Sequence, residues 1–133
     1  MLLNFRFHHI GIATKSIENT FAFYHQLGYV KSEVVYDKNQ HVNIVLLSKS
    51  DSPIIELVEM IDEKSPVYNL LKKNGVVPYH VCYEVDDILS ATAELRKQRF
   101  VLLFKHVDAI ALGGRQISYL YNKEVGLIEI LQK

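Results

Sequence analysis

The apolar positions of the chain change period repeatedly. Residues 7–13 read as a strand. Ser16 then caps a helix over about 17–27, with Ile17, Phe21, Tyr24 and Leu27 on one stripe and Gly28 as the stop. Tyr29 to Tyr36 is rich in β-formers, and YDKNQH, from Tyr36 to His41, has the composition of a turn. His41 to Ser48 is apolar and β-branched, SKSDSP turns the chain again, and Ile54 to Glu59 is a further β segment. The first half therefore predicts β-α-β-β-β.

The second half repeats the order. Ser65-Pro66 predicts a short helix running to about Asn74, with Gly75 ending it. Tyr79 to Val85 reads as a strand, and Asp87 caps a helix over about 88–98. Phe100–Val107, Arg115–Tyr121 and Gly126–Leu131 are β candidates, with ALGG marking a bend. A shift of 71 places His9 on His80, Ile10 on Val81, Ile17 on Ile88 and Tyr29 on Phe100. Near the module ends a shift of 73 places IIELVE (54–59) on LIEILQ (127–132), and so Glu56 on Glu129. The pattern predicts two βαβββ modules, 1–64 and 79–133, joined by a helical connector over 65–78. A unit this small has too little core to stand alone, so the copies are expected to share one structural domain, within a chain or between chains.

Composition narrows the function. The chain has 133 residues, with 15 Lys and Arg against 15 Asp and Glu. That balance argues against a nucleic-acid surface or a polybasic membrane patch. No apolar run approaches the roughly 18 residues of a membrane span. The start MLLNFRFHHIG is too polar to read as a signal peptide. Cys82 is the single cysteine, and a cytoplasmic protein is the expectation.

Alternation then selects candidate chemistry. In a strand, His9, Gly11 and Ala13 share one face, opposite His8, Ile10 and Ile12. His80, Cys82 and Glu84 likewise lie opposite Val81, Tyr83 and Val85. Glu56 sits between Ile55 and Leu57, and Glu129 between Ile128 and Ile130, so each carboxylate points away from its apolar neighbours. A lone strand histidine is usually structural. Four such residues at repeat-equivalent positions predict a metal site of His9, Glu56, His80 and Glu129. Mixed nitrogen and oxygen donors suit one divalent transition metal, Zn, Ni, Co, Mn or Fe, over Ca or Mg. His8 has the wrong phase, His25 lies on the helix, His41 and His106 fall at β ends, and Cys82 reads as a small buried filler.

HHIGIATKSIENTFAFYHQLGY, IIELVE, YHVCYEVDDI and GLIEILQ together resemble the vicinal oxygen chelate superfamily, the glyoxalase, bleomycin-resistance and dioxygenase fold, over nearly the whole chain. The resemblance implies an α+β fold: two tandem βαβββ modules in a cupped mixed sheet with helices outside, often a homodimer. It implies the same four metal ligands. Within the superfamily, SPVYNLLKKNGVVPYHVCYEVDDI and GGRQISYLYNKEVGLIEILQ look like segments of the methylmalonyl-CoA epimerase group. That group places a glutamate acid/base in the turn after the first helix and strand. Asn39, Gln40, His41 and Val42 match that motif, and Asn39 cannot shuttle a proton, which leaves Asp37 or His41 as substitutes. In glyoxalase I the metal-bound glutamates move the proton themselves.

The leading expectation is accordingly a metal-dependent lyase or isomerase of glyoxalase I type, with Glu129 and Glu56 as the catalytic carboxylates. Its substrate would be a small thioester or hemithioacetal of CoA or a low-molecular-weight thiol. Lys72, Lys73 and Arg115 are candidate contacts for the carrier. The alternatives are a methylmalonyl-CoA epimerase, an extradiol-type dioxygenase and a non-enzymatic binding protein of bleomycin-resistance type.

Overall fold

A computed structural model describes residues 1–2 and 4–133. The elements are strands β1 (Arg6–Thr14), β2 (Val30–Lys31), β3 (Val35–Asp37), β4 (Val42–Ser48), β5 (Ile54–Met60), β6 (Val77–Val85), β7 (Val101–Ala109), β8 (Arg115–Asn122) and β9 (Gly126–Gln132). The helices are α1 (Ile17–Gln26), α2 (Tyr68–Asn74) and α3 (Ile88–Lys97), with a 3₁₀ turn at Ile110–Leu112 where ALGG predicts a bend. This is the expected mixed sheet with helices. The one clear difference in the first half is that the β-rich stretch Tyr29–Tyr36 divides into two short strands, both antiparallel to β4.

The chain forms two compact units, His9–Tyr79 and Met1–His8 with His80–Lys133. In the first, β1 pairs in parallel with β5, and β5 pairs antiparallel with β4. Its core is Ile12, Ile17, Tyr29, Val45, Leu47 and Leu57, with Ile10, Phe21, Tyr24 and Ile55 packed against it. Three of the four residues expected on the helical stripe are therefore inward. Leu27 is not: the helix ends at Gln26, Gly28 turns the chain at φ 94°, and Leu27 is left 45% exposed. In the second unit β6 pairs in parallel with β9, followed by antiparallel β8 and β7. Val85, Ile88, Ala91, Leu95, Phe100, Leu120 and Ile130 make its core. The first residues of β1 belong to this unit, with Phe7 edge-on to Tyr83 and Arg6 paired to Glu84 and Asp86.

Each unit ties its last strand to the start of its first helix. Ser16 caps α1 through the Asn19 N–H, and the Ile17 N–H donates to Glu59 Oε2 of β5 at 2.7 Å. Asp87 caps α3 through the N–H groups of Leu89 and Ser90, and the Ile88 N–H donates to Gln132 Oε1 of β9 at 2.9 Å. Glu59 and Gln132 are 73 residues apart in the same repeat register as Glu56 and Glu129. The first-turn N–H groups of a helix have no intrahelical acceptor, so a strand side chain satisfies one of them and sets the helix against its sheet.

The connector helix begins later than Ser65-Pro66 predicts. Ser65 does not cap it; its hydroxyl donates to the His41 carbonyl at 2.8 Å and accepts from the Ile61 N–H at 2.8 Å. That hydroxyl ties the loop after β5 to the start of β4, and the helix opens at Tyr68 behind an uncapped Val67.

Replacing Glu59 by Ala removes a charged acceptor from the positive end of α1 and leaves the Ile17 N–H unsatisfied. The expected loss is about 1–2 kcal/mol in urea unfolding at neutral pH, with Glu59→Gln, the residue of the other unit, recovering most of it.

Candidate metal centre

The two strands that carry the predicted ligands do so for the same reason in each unit. On β1, Ile10 and Ile12 go to the helix-covered core, which sends His9 to the opposite face with Gly11 and Ala13. On β5, Ile55 and Leu57 join the same core and Glu56 faces away. The Cα partner of Glu56 on β1 is Gly11, which itself brings no side chain against that carboxylate. In the other unit, β6 presents His80 and Cys82 on one face, and Cys82 is the Cα partner of Glu129 on β9.

All four residues are buried: His9 is 0%, Glu56 2%, His80 3% and Glu129 1% exposed. His9 Nε2 lies 3.5 Å from Glu56 Oε1, and His80 Nε2 lies 3.7 Å from Glu129 Oε1. These separations exceed the 2.7–3.2 Å of a direct N–H···O bond. Two donors held at about 2.1 Å by one ion stand about 3.0–3.5 Å apart, and both pairs are within a few tenths of an ångström of that spacing. An imidazole and a carboxylate buried side by side, with both reactive ends aimed at the same small space, fit a divalent transition metal by donor type. The residues present therefore suit the ion that the sequence predicts.

His8 is half-buried on the opposite phase of β1 from His9. His25 packs on Phe21 within α1, His41 bonds Asp62, and His106 bonds Ser118. Cys82 is fully buried.

The turn between β3 and β4 has a structural answer. Asp37 is fully buried, and its Oδ1 accepts the N–H groups of Asn39 at 3.0 Å and Gln40 at 3.1 Å. Its Oδ2 accepts from Gln40 Nε2 at 2.8 Å. That carboxylate is the anchor of the turn, an Asx arrangement. His41 takes a left-handed φ of 55°, and its Nε2 lies 3.0 Å from Asp62 Oδ1. The Lys64 N–H, and after it His41, holds the Asp62 carboxyl below the usual range.

Arg115, a candidate carrier contact, is engaged inside its own unit. It donates to Glu84 at 2.5 Å and to the Gln132 carbonyl at 2.7 Å. Arg115, and after it Arg6, hold the Glu84 carboxyl below the ordinary value. Lys72 and Lys73 occupy the last turn of α2, where positive charge meets the negative end of the helix.

One residue beside the candidate ligands carries no signal in the sequence. Tyr119 of β8 is the Cα partner of Glu129, and its ring meets the His80 imidazole edge-on. It sits in the alternating run SYLY, where nothing distinguishes it from a core tyrosine until the register of β8 on β9 is known.

Residues 8–119 match the family model described as the glyoxalase/bleomycin resistance protein/dioxygenase superfamily. Human mitochondrial methylmalonyl-CoA epimerase is 31% identical over 131 residues, covering 96% of this chain and 73% of the relative. The ethylmalonyl-CoA/methylmalonyl-CoA epimerase of Cereibacter sphaeroides is 29% identical and covers 96% of this chain and 97% of the relative. Among solved structures, a Streptomyces coelicolor methylmalonyl-CoA epimerase variant in complex with 2-nitronate-propionyl-CoA superposes with a TM-score of 0.85 at 25% identity, over 96% of each chain.

The Glu84 carboxyl has a depressed pKa in the fold, so its pairing stabilises the protein fully above the ordinary carboxylate value of 4.5 and is lost as the pH falls through the folded pKa. Arg115→Leu is expected to move the Glu84 titration, followed by carboxyl NMR, up toward that ordinary value. The stability gap between wild type and variant in urea should shrink in acid below it; a gap independent of pH would count against the pairing.

Proposed function

Because the chain belongs to the glyoxalase/bleomycin resistance protein/dioxygenase superfamily, we propose that it is a metal-dependent epimerase acting on a small acyl-CoA thioester of the methylmalonyl type. The relatives are enzymes, and this chain is one as well. The observation that carries the reading is the buried His–Glu pair built by each unit, His9–Glu56 and His80–Glu129. The four side chains together are the proposed ligands of one divalent transition metal, with Zn, Co, Ni and Mn the candidate ions. The named relatives are epimerases and not lactoylglutathione lyases, so they favour the epimerase over the glyoxalase I type that the sequence alone put first.

When bound, the ion supplies Lewis-acid polarisation of a carbonyl oxygen. The chain's own groups do the rest. An acidic C–H between two carbonyls needs a carboxylate within hydrogen-bond reach to take and return its proton. Glu129 and Glu56 are the carboxylates proposed for that transfer. The turn that carries a glutamate in the epimerase group carries Asn39 here, beside an Asp37 committed to the backbone.

A chain with a single, buried cysteine, which makes no internal disulfide, is in keeping with a cytoplasmic location for this activity. The exposed Val101, Leu103 and Phe104 of β7 support a homodimer. No described helix is long and apolar enough to cross a membrane.

Metal-loaded protein is expected to exchange the C2 proton of methylmalonyl-CoA for deuterium in D₂O, read by mass spectrometry. Exchange confined to a glutathione hemithioacetal, with none on the CoA thioester, would return the assignment to the lyase. His80→Ala should lower metal content at least about tenfold, while His8→Ala, on the opposite phase of β1, should leave it unchanged. Asn39→Glu should raise the rate of epimerisation relative to wild type; no change would mean that the turn does not face the substrate.

A further inference from the structure

Three aromatic rings pack in series in the unit that carries His80, from the buried imidazole out to the part-exposed Phe104. The His80 imidazole and the Tyr119 ring meet at 85°, with centroids 5.3 Å apart. Phe104 of β7 packs on the same tyrosine at 5.2 Å and 51°. Tyr119 is only 6% exposed, and it stands directly across from Glu129 in the β8–β9 register. It therefore borders both members of the His80–Glu129 pair.

An imidazole at the end of a strand side chain turns easily, because its second torsion has broad minima. A ligand's ring plane must be set by something outside the ligand itself, a hydrogen bond to its far nitrogen or a packed neighbour. Edge-to-face packing supplies an orientation as well as contact, because the ring quadrupole favours a T-shaped meeting. The other unit has no aromatic at the matching place. The residue across from Glu56 is Leu46, and 119 − 46 and 129 − 56 are the same shift of 73. The tyrosine is thus a specific departure from the repeat, located beside a candidate ligand.

We propose that Tyr119 is a positioning residue for the metal site. Its ring, backed by Phe104, fixes the plane of the His80 imidazole so that Nε2 is presented toward Glu129. The inference rests on the metal reading above. It makes the His80–Glu129 pair the pre-set half of the ligand set, with the ring and not the hydroxyl of Tyr119 responsible.

The test compares wild type, Tyr119→Phe and Tyr119→Leu, each loaded with Co(II). Affinity is read by chelator competition, ligand geometry by the visible d–d absorption, and fold by thermal melting of the metal-free protein. Tyr119→Phe is expected to match wild type. Tyr119→Leu is expected to bind cobalt about tenfold or more weakly and to shift the absorption bands. A Tyr119→Leu protein with a lowered melting temperature but wild-type affinity and spectrum would make Tyr119 merely structural and overturn the inference. So would a Tyr119→Phe protein as impaired as Tyr119→Leu, because the hydroxyl would then be responsible. Should Tyr119→Leu fail to fold, Phe104→Leu removes only the backing: a shifted spectrum supports the inference, and an unchanged one overturns it. A wild type that binds no cobalt overturns the metal reading and this inference together, whereas binding that is insensitive to these substitutions overturns this inference alone.

Discussion

A carboxylate removed from water either meets positive charge or loses its own. Glu56 and Glu129 are both almost completely buried, each with an imidazole nitrogen less than 4 Å away. Much of the remaining structure serves that arrangement. Strand alternation needs a bulky apolar face to bury under a helix, and it leaves the other face for the polar pair. Ile10, Ile12, Ile55 and Leu57 do this in one unit. In the other unit Val85, Leu120 and Ile130 do the same. Gly11 is the register partner of Glu56 and adds no side chain there.

The two units use one plan with different parts. A carboxylate, Glu59, receives the first N–H of α1, and an amide, Gln132, receives that of α3. The charge at the second helix comes instead from its cap, Asp87. Leucine lies across from one candidate carboxylate and tyrosine across from the other. The skeleton common to both is backbone pairing and helix capping. The differences lie in the side chains, at the helix starts and across from the buried carboxylates.

The turn between β3 and β4 illustrates how a polar residue's role depends on its partners. Asp37 has the right chemistry for proton transfer, yet its oxygens accept from two backbone N–H groups and one side-chain amide. Ser65 similarly has the right chemistry for a helix cap, yet its hydroxyl joins two loops. In both cases the partners are visible only in the folded chain, not in composition.

Much of the fold was legible in the chain. Local period, caps and glycine stops placed α1, α3 and most strands of both halves, and the end of α2 but not its start. His9, Glu56, His80 and Glu129 stood out because alternation sends each away from apolar neighbours and the repeat superposes them in pairs. These signals are local or periodic, so the order of residues determines them. What needed the tertiary structure depends on which segments are brought together in space. The 3.5 and 3.7 Å spacing of the His–Glu pairs, the Glu59 and Gln132 caps, the late start of α2, the engagement of Arg115 by Glu84 and the ring of Tyr119 against His80 all arise this way. A side chain's neighbours across a sheet are chosen by backbone pairing, and a one-residue slip of register would exchange every one of them.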